Sequence, residues 1–180
     1  MAVDTFVPML RSLSQVLDKG AQHAAARKFD TSVLVNARLA PDMYPLAMQV
    51  ETACFQAEVA VAHLMGREAP GFGAAPETFD GLRARIERTL DTLQKAPAAA
   101  FDGAAERVIA FAIDEQRGFE MTGLQLLRDW ALPHFYFHVV TAYDILRHNG
   151  VDLGKRDYLS HVGVYLKQRA PAGAPLAGGA

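Results

Sequence analysis

Apolar residues recur at three- and four-residue spacing through most of this 180-residue chain, a period that favours helices over strands. Phe6, Val7, Leu10, Leu13, Val16, Leu17, Ala21 and Ala24 trace one stripe, which predicts a first helix over 4–27. Asp4 or Thr5 is placed to cap it, and Pro8 is tolerable if it falls in the first turn. Asp30 can cap a short helix over Thr31–Ala37. Pro45 suits the opening of a second long helix reaching about Met65, with Leu46, Gln49 or Val50, Ala53, Ala57, Ala60 and Leu64 turned inward. Those inward residues are mostly small, so a neighbouring helix can approach closely, and Gly66 is a natural stop. After the Gly/Pro-rich stretch 66–77, Thr78 caps a third helix to about Lys95 with Leu82, Ile86, Thr89, Leu90 and Leu93 as its stripe. Arg83, Glu87, Arg88 and Asp91 decorate its wet side.

Beyond Pro97 the pattern changes. The β-branched run at Arg107–Ile113, followed by polar residues and Phe119–Met121, predicts a small hairpin near 107–121. Thr122 caps a short helix through Trp130, Pro133 restarts the chain, and a fourth long helix runs to about His148 before Asn149-Gly150. A last short helix is expected over Tyr158–Lys167. Together these segments predict an all-α, four-helix bundle over 1–168, followed by a disordered low-complexity tail over 169–180. Phe135, Tyr136, Phe137, Val139, Val140, Ala142, Tyr143, Ile145 and Leu146 cover nearly the whole circumference of the fourth helix. That predicts the most buried helix of the bundle, with one face in the core and another against flanking segments or a second subunit, hence a homodimer.

Composition narrows the function classes. A net charge of −2 leaves no electrostatic footprint for nucleic acid or an anionic membrane. No apolar run approaches the roughly 20 residues of a spanning helix, and MAVDTFVPML lacks the basic segment of a secretory signal. The single cysteine, Cys54, rules out an internal disulfide and a cysteine-based zinc knuckle. A cytoplasmic protein is expected.

The chemistry on offer centres on His134 and His138, four residues apart in the most apolar segment. On a helix both imidazoles project from one face about one turn apart, a workable half of a metal site. The same pair also reads as buried structural histidines, and a functional site needs a further ligand from another helix. His63 and His148 lie near helix C-termini, where a cation suits the helix dipole. Cys54 reads as a core filler. Arg38 and Asp42 precede the second helix and can pair, cap it or line a cavity. No P-loop, dinucleotide fingerprint, nucleophile elbow or EF-hand loop occurs.

The runs PHFYFHVVTAYDILRHNGVDLGKRDYL and FDTSVLVNARLAPDMYPLAMQV closely resemble a bacterial family catalogued as a domain of unknown function. That family is grouped with the DinB-like (YfiT-like) four-helix bundles, taken to be metalloenzymes. The resemblance extends to about Leu166. His134, His138, Leu146-Arg147 and Gly150 reproduce the superfamily spacing of a histidine pair followed by Leu-Arg-x-x-Gly. It implies up-down-down-up connectivity, frequent dimers, and a divalent metal (zinc, nickel or iron) held by three histidines. Two of these match His134 and His138. The third belongs on the second helix, where this chain has Gln49, Thr52 and Cys54 near the expected level and its one histidine, His63, about four turns further along. Gln49 or Asp42 would then complete a weakened shell. The resemblance further implies hydrolase or thiol-dependent transferase chemistry, with a small molecule or thiol as ligand. The alternative is a metal-free dimeric binding module.

Overall fold

A computed structural model describes residues 2–167, and the tail expected over 169–180 lies outside them. Four long helices form the body: α1 (Ala2–Arg27), α3 (Leu46–Leu64), α4 (Phe79–Gln94) and α6 (Leu132–His148). Short helices α2 (Ser32–Val35), α5 (Gly123–Gln125) and α7 (Lys155–Tyr158) join them, with a hairpin of β1 (Val108–Ala112) and β2 (Gly118–Thr122).

Contacts between named residues give the directions. Phe6 meets Phe135 edge-on at 4.9 Å, while Gly20 lies beside Leu146, so α1 and α6 run parallel. Asp18 pairs with Arg83 and Gly20 faces Phe79, so α4 runs against α1. Arg85 and Thr89 meet Glu51 and Glu58 in the same order, so α3 and α4 are parallel. Gln49 meets His138, while a small cavity joins His63 to Trp130, so α6 runs against α3. The connectivity is up-down-down-up, as expected of a DinB-like bundle.

Several local signals do what their chemistry requires. Asp30 Oδ1 accepts the Ser32 N–H at 2.7 Å, and Thr78 Oγ1 accepts the Gly81 N–H at 3.1 Å. Gly66 takes φ +68° to end α3, a conformation that a side chain disfavours. The expected hairpin is present, antiparallel, with Val108 opposite Thr122 and Ala112 opposite Gly118.

Other expectations are corrected. Helix α1 starts at Ala2, so Asp4 lies within its first turn and Pro8 lies inside the helix. Proline there has no N–H for the carbonyl four residues back. Pro133 does not restart the chain: a π-helical turn over Leu126–Ala131 runs directly into α6. The wider turn sits just before the proline whose N–H is missing.

The most buried helix is α3, with 13 of its 19 residues buried, not α6, with 6 of 17. Small alanines let neighbours close on α3 from several sides. The rings Phe137 (57% exposed) and Tyr44 (51%) and the Val140 side chain (38%) instead face outward in this chain. Arg83 pairs across to Asp18 at 2.5 Å and back along its own helix to Asp80, rather than forward to Glu87. No helix among the described residues is long and apolar enough to cross a membrane.

Candidate functional site at the interface of helices α3 and α6

The first turn of α3 and the first two turns of α6 bring Gln49 and His138 together. Pro45 precedes α3 in an extended conformation, and the Leu46 N–H donates to the Ala37 carbonyl at 2.9 Å, which sets where the helix begins. Gln49, 1% exposed, then reaches back along the chain. Its Nε2 donates to the Tyr44 carbonyl at 3.1 Å, and its Oε1 lies 2.7 Å from His138 Nδ1.

The Tyr44 carbonyl can only accept, so the amide nitrogen must face it and the amide oxygen must face His138. His138 therefore carries its proton on Nδ1, and its Nε2 retains a lone pair. Burial, then the neighbouring His134, pushes the His138 pKa down from 6.5 to about 4. At neutral pH the ring is uncharged and basic only at Nε2.

His134 lies one turn earlier, half-buried against the Trp130 indole, with ring centroids 4.2 Å apart. Burial lowers its pKa as well. Its Nδ1 is inaccessible to solvent and has no hydrogen-bond partner, alone among the side-chain nitrogen and oxygen atoms of the described residues. An unsatisfied buried polar atom of this kind costs about 1–3 kcal/mol.

Sequence-predicted residues divide accordingly. Gln49 and His138 are in contact, and His134 adjoins His138 on the same helix face. Asp42 is exposed on the connection before α3, and the neighbouring Arg38 donates to the Met43 carbonyl rather than pairing with it. No set of three His, Cys, Asp or Glu able to hold a metal forms among the described residues. The two neutral imidazoles, one oriented by an outer hydrogen bond, suit a late transition-metal ion. They fall one protein ligand short of a typical catalytic zinc site.

Two further histidine and cysteine readings are now settled. His63 stacks on Phe111 at 5.7 Å, and burial lowers its pKa, so it does not supply the cation at the end of α3. Arg107 does so instead, donating to the Leu64 carbonyl. The Cys54 thiol, wholly buried, is pushed up to about 12, chiefly by burial, which makes it an inert core residue.

Two groupings escaped the sequence reading. Glu51 and Glu58 turn toward α4, where Arg85 and Thr89 join them in a largely buried network. The available signal was two acids seven residues apart, the only Asp, Glu, Lys or Arg residues of that helix. Second, Phe111 and Phe119 of the hairpin pack on Trp130 at 5.5 and 4.8 Å. Here the signal was the sole Trp standing four residues before His134.

The lowered His138 pKa has a consequence for stability. Between pH 6.5 and about 4 the unfolded imidazole binds a proton that the folded one does not. The stabilisation is complete above pH 6.5 and is lost as the pH falls toward 4. His134 and His63 act in the same direction. Urea midpoints are expected to fall across this window, and less steeply in His138→Asn; parallel profiles for the two proteins would show that His138 titrates normally.

Comparison with known proteins agrees with the fold. A crystal structure of a DinB family member protein from Shewanella denitrificans superposes with a TM-score of 0.80 at 39% identity. The match covers 96% of this chain and 93% of that one. A search of the curated proteins found no match. A family model described as a domain of unknown function, DUF1993, matches residues 1–159. With the up-down-down-up bundle and the histidine pair on α6, these comparisons show that the chain belongs to the DUF1993 family, a DinB-like family of unknown function.

Proposed function

We propose that this DinB-like bundle uses His134 and His138 to hold one divalent metal ion weakly, in support of hydrolase or thiol-dependent transferase chemistry on a small molecule. The observation that carries this reading is the Gln49–His138 contact at 2.7 Å. Metal-binding histidines characteristically donate their other ring N–H to an acceptor, which fixes the tautomer and aims the lone pair. Gln49, anchored by the Tyr44 carbonyl, does this for His138. In this reading Gln49 orients a ligand and is not itself one, because its oxygen is already engaged.

The unpartnered His134 nitrogen supplies a second lone pair, and depressed pKa values keep both rings deprotonated at neutral pH. A divalent ion there would lower the pKa of a bound water or thiol and so create a nucleophile. The buried Cys54 thiol cannot serve as that thiol, so a thiol co-substrate would enter from solution. The outward Phe137, Val140 and Tyr44 side chains support a homodimer covering this face.

The test is metal content of untagged protein, followed by titration with Zn²⁺ or Ni²⁺. The expected result is substoichiometric metal as purified, uptake of one equivalent per chain, and a raised Tm. Uptake disappears in His134→Ala and His138→Ala. It weakens about 10–100-fold in Gln49→Ala, as for other outer-shell partners, and is unchanged in Asp42→Ala. Light scattering on the same sample is expected to give a dimer, and a monomer would remove that part of the reading. Protein that takes up neither ion and gains no thermal stability would end the metal reading. The second reading, a metal-free binding module, is favoured by one observation: among the described residues no third His, Cys, Asp or Glu joins the pair.

A further inference from the structure

The hairpin has no evident place in a minimal four-helix bundle, yet both of its inward rings are spent on one residue. Phe119 and Phe111 pack on Trp130 at 4.8 and 5.5 Å, and Trp130 packs on His134 at 4.2 Å. The hairpin base is tied down by Gly123 N–H to the Arg107 carbonyl (2.8 Å) and Leu124 N–H to the Ala105 carbonyl (3.0 Å). Arg107 fastens that base to the end of α3 through the Leu64 carbonyl. A held platform thus presses an indole onto the imidazole whose Nδ1 is sealed from solvent and unpartnered.

Two features leave the indole room to move. Trp130 belongs to the π-helical turn over Leu126–Ala131. Tightening such a turn to α geometry by one residue rotates its side chains by roughly 100° relative to the next helix. Beside the indole lies a cavity of about 30 Å³ bordered by Gln56, His63, Phe111 and Ala131, a void on the order of one water molecule that leaves slack on that side.

We propose that Trp130, clamped by Phe111 and Phe119, is the access residue of this site: its indole covers His134 Nδ1, and that nitrogen reaches a ligand only when the indole swings away. Trp130 is an access and positioning residue, not a catalytic one. The cover admits a small ion or a slender molecule more readily than a bulky one. This deepens the two-histidine reading above and rests on it for the identity of the ligand, but the covering itself is measurable without any metal.

The experiment is acylation of histidines by diethyl pyrocarbonate, followed peptide by peptide in the mass spectrometer, on full-length protein. In Trp130→Ala the His134 rate is expected to rise about tenfold over the wild-type chain, as for loss of a local cover, while exposed His148 changes by less than about twofold. Trp130→Phe, which retains a ring, restores most of the protection. Phe119→Ala keeps the indole but loosens its clamp, so it gives an intermediate His134 rate and a red shift in emission from the only tryptophan. That variant carries the test should Trp130→Ala fail to fold. Equal His134 rates in the wild-type chain, Phe119→Ala and any folded Trp130 variant overturn the proposal. A wild-type chain that binds no Zn²⁺ or Ni²⁺ but shows the labelling pattern removes the metal reading alone. Metal binding with no change in labelling removes the access role alone.

Discussion

Exchange of Arg85 for methionine is expected to lower the stability of the bundle by about 3–5 kcal/mol, the range seen when one partner of a buried ion pair is removed. Arg85 Nε donates to Glu51 at 2.8 Å, and its two Nη atoms donate to the two Glu58 oxygens at 2.7 and 3.0 Å. Thr89 Oγ1 donates to the same Glu58 carboxylate at 2.7 Å. The Glu51 side chain is only 3% exposed and that of Arg85 12%. Burial works against the Arg85 charge, but the hydrogen bonds it donates to Glu58 and Glu51 outweigh that and hold the guanidinium above its ordinary pKa.

Methionine fills much of the aliphatic volume, so the loss reports charge rather than a cavity. Two carboxylates would be left between α3 and α4 with no cation. Urea unfolding measures the effect, and a loss below about 1 kcal/mol would mean that water reaches the network freely. Adding Glu51→Gln and Glu58→Gln to Arg85→Met is expected to recover most of the loss, since removing every charge is far cheaper than stranding some.

Gly123→Ala is the second large effect, at about 2–4 kcal/mol by overpacking. A Cβ at Gly123 would stand 1.9 Å from the Ala104 carbonyl oxygen and 3.0 Å from Leu64 Cδ2. The obstacle is backbone, which cannot rotate aside as a side chain does. Relief requires separating the 104–107 turn from the start of α5, at the cost of the Gly123–Arg107 and Leu124–Ala105 hydrogen bonds. Because that base carries the hairpin, Trp130 is expected to loosen as well, and its emission to shift to the red. Gly71→Ala is the control, since nothing lies within 4 Å of a Cβ there. A Tm for Gly123→Ala equal to that of the control would show that the base yields without cost.

Much of the fold could be read before any coordinates. The stripes of α1, α3 and α4 mark their buried faces because a side chain's angle around a helix follows from its position in the chain. Caps at Asp30, Thr78 and Thr122 were legible because the group each satisfies lies two or three residues away. Helix α6 misled for the same reason that it stood out. A ring of apolar residues says that burial is favourable, not that a neighbour is present on every side, and Phe137 and Val140 face outward. Pro133 misled because a proline is also tolerated beside a widened turn, and i→i+5 bonding leaves no mark in apolar spacing.

By itself, then, the sequence determined four amphipathic helices, a hairpin, their caps, and a histidine pair on one face of α6. Tertiary structure alone decided what those faces meet. Gln49 and His138 are 89 residues apart and Glu51 and Arg85 are 34 apart, and each pair depends on the offset and direction of two packed helices. Helical periodicity sets rotation about one axis, whereas offset and direction come from how side chains interlock across an interface. That is why Gln49 could be named as a site residue from the chain, while its bond to the His138 Nδ1–H, and the lone pair this leaves on Nε2, came only with the packing of α3 against α6.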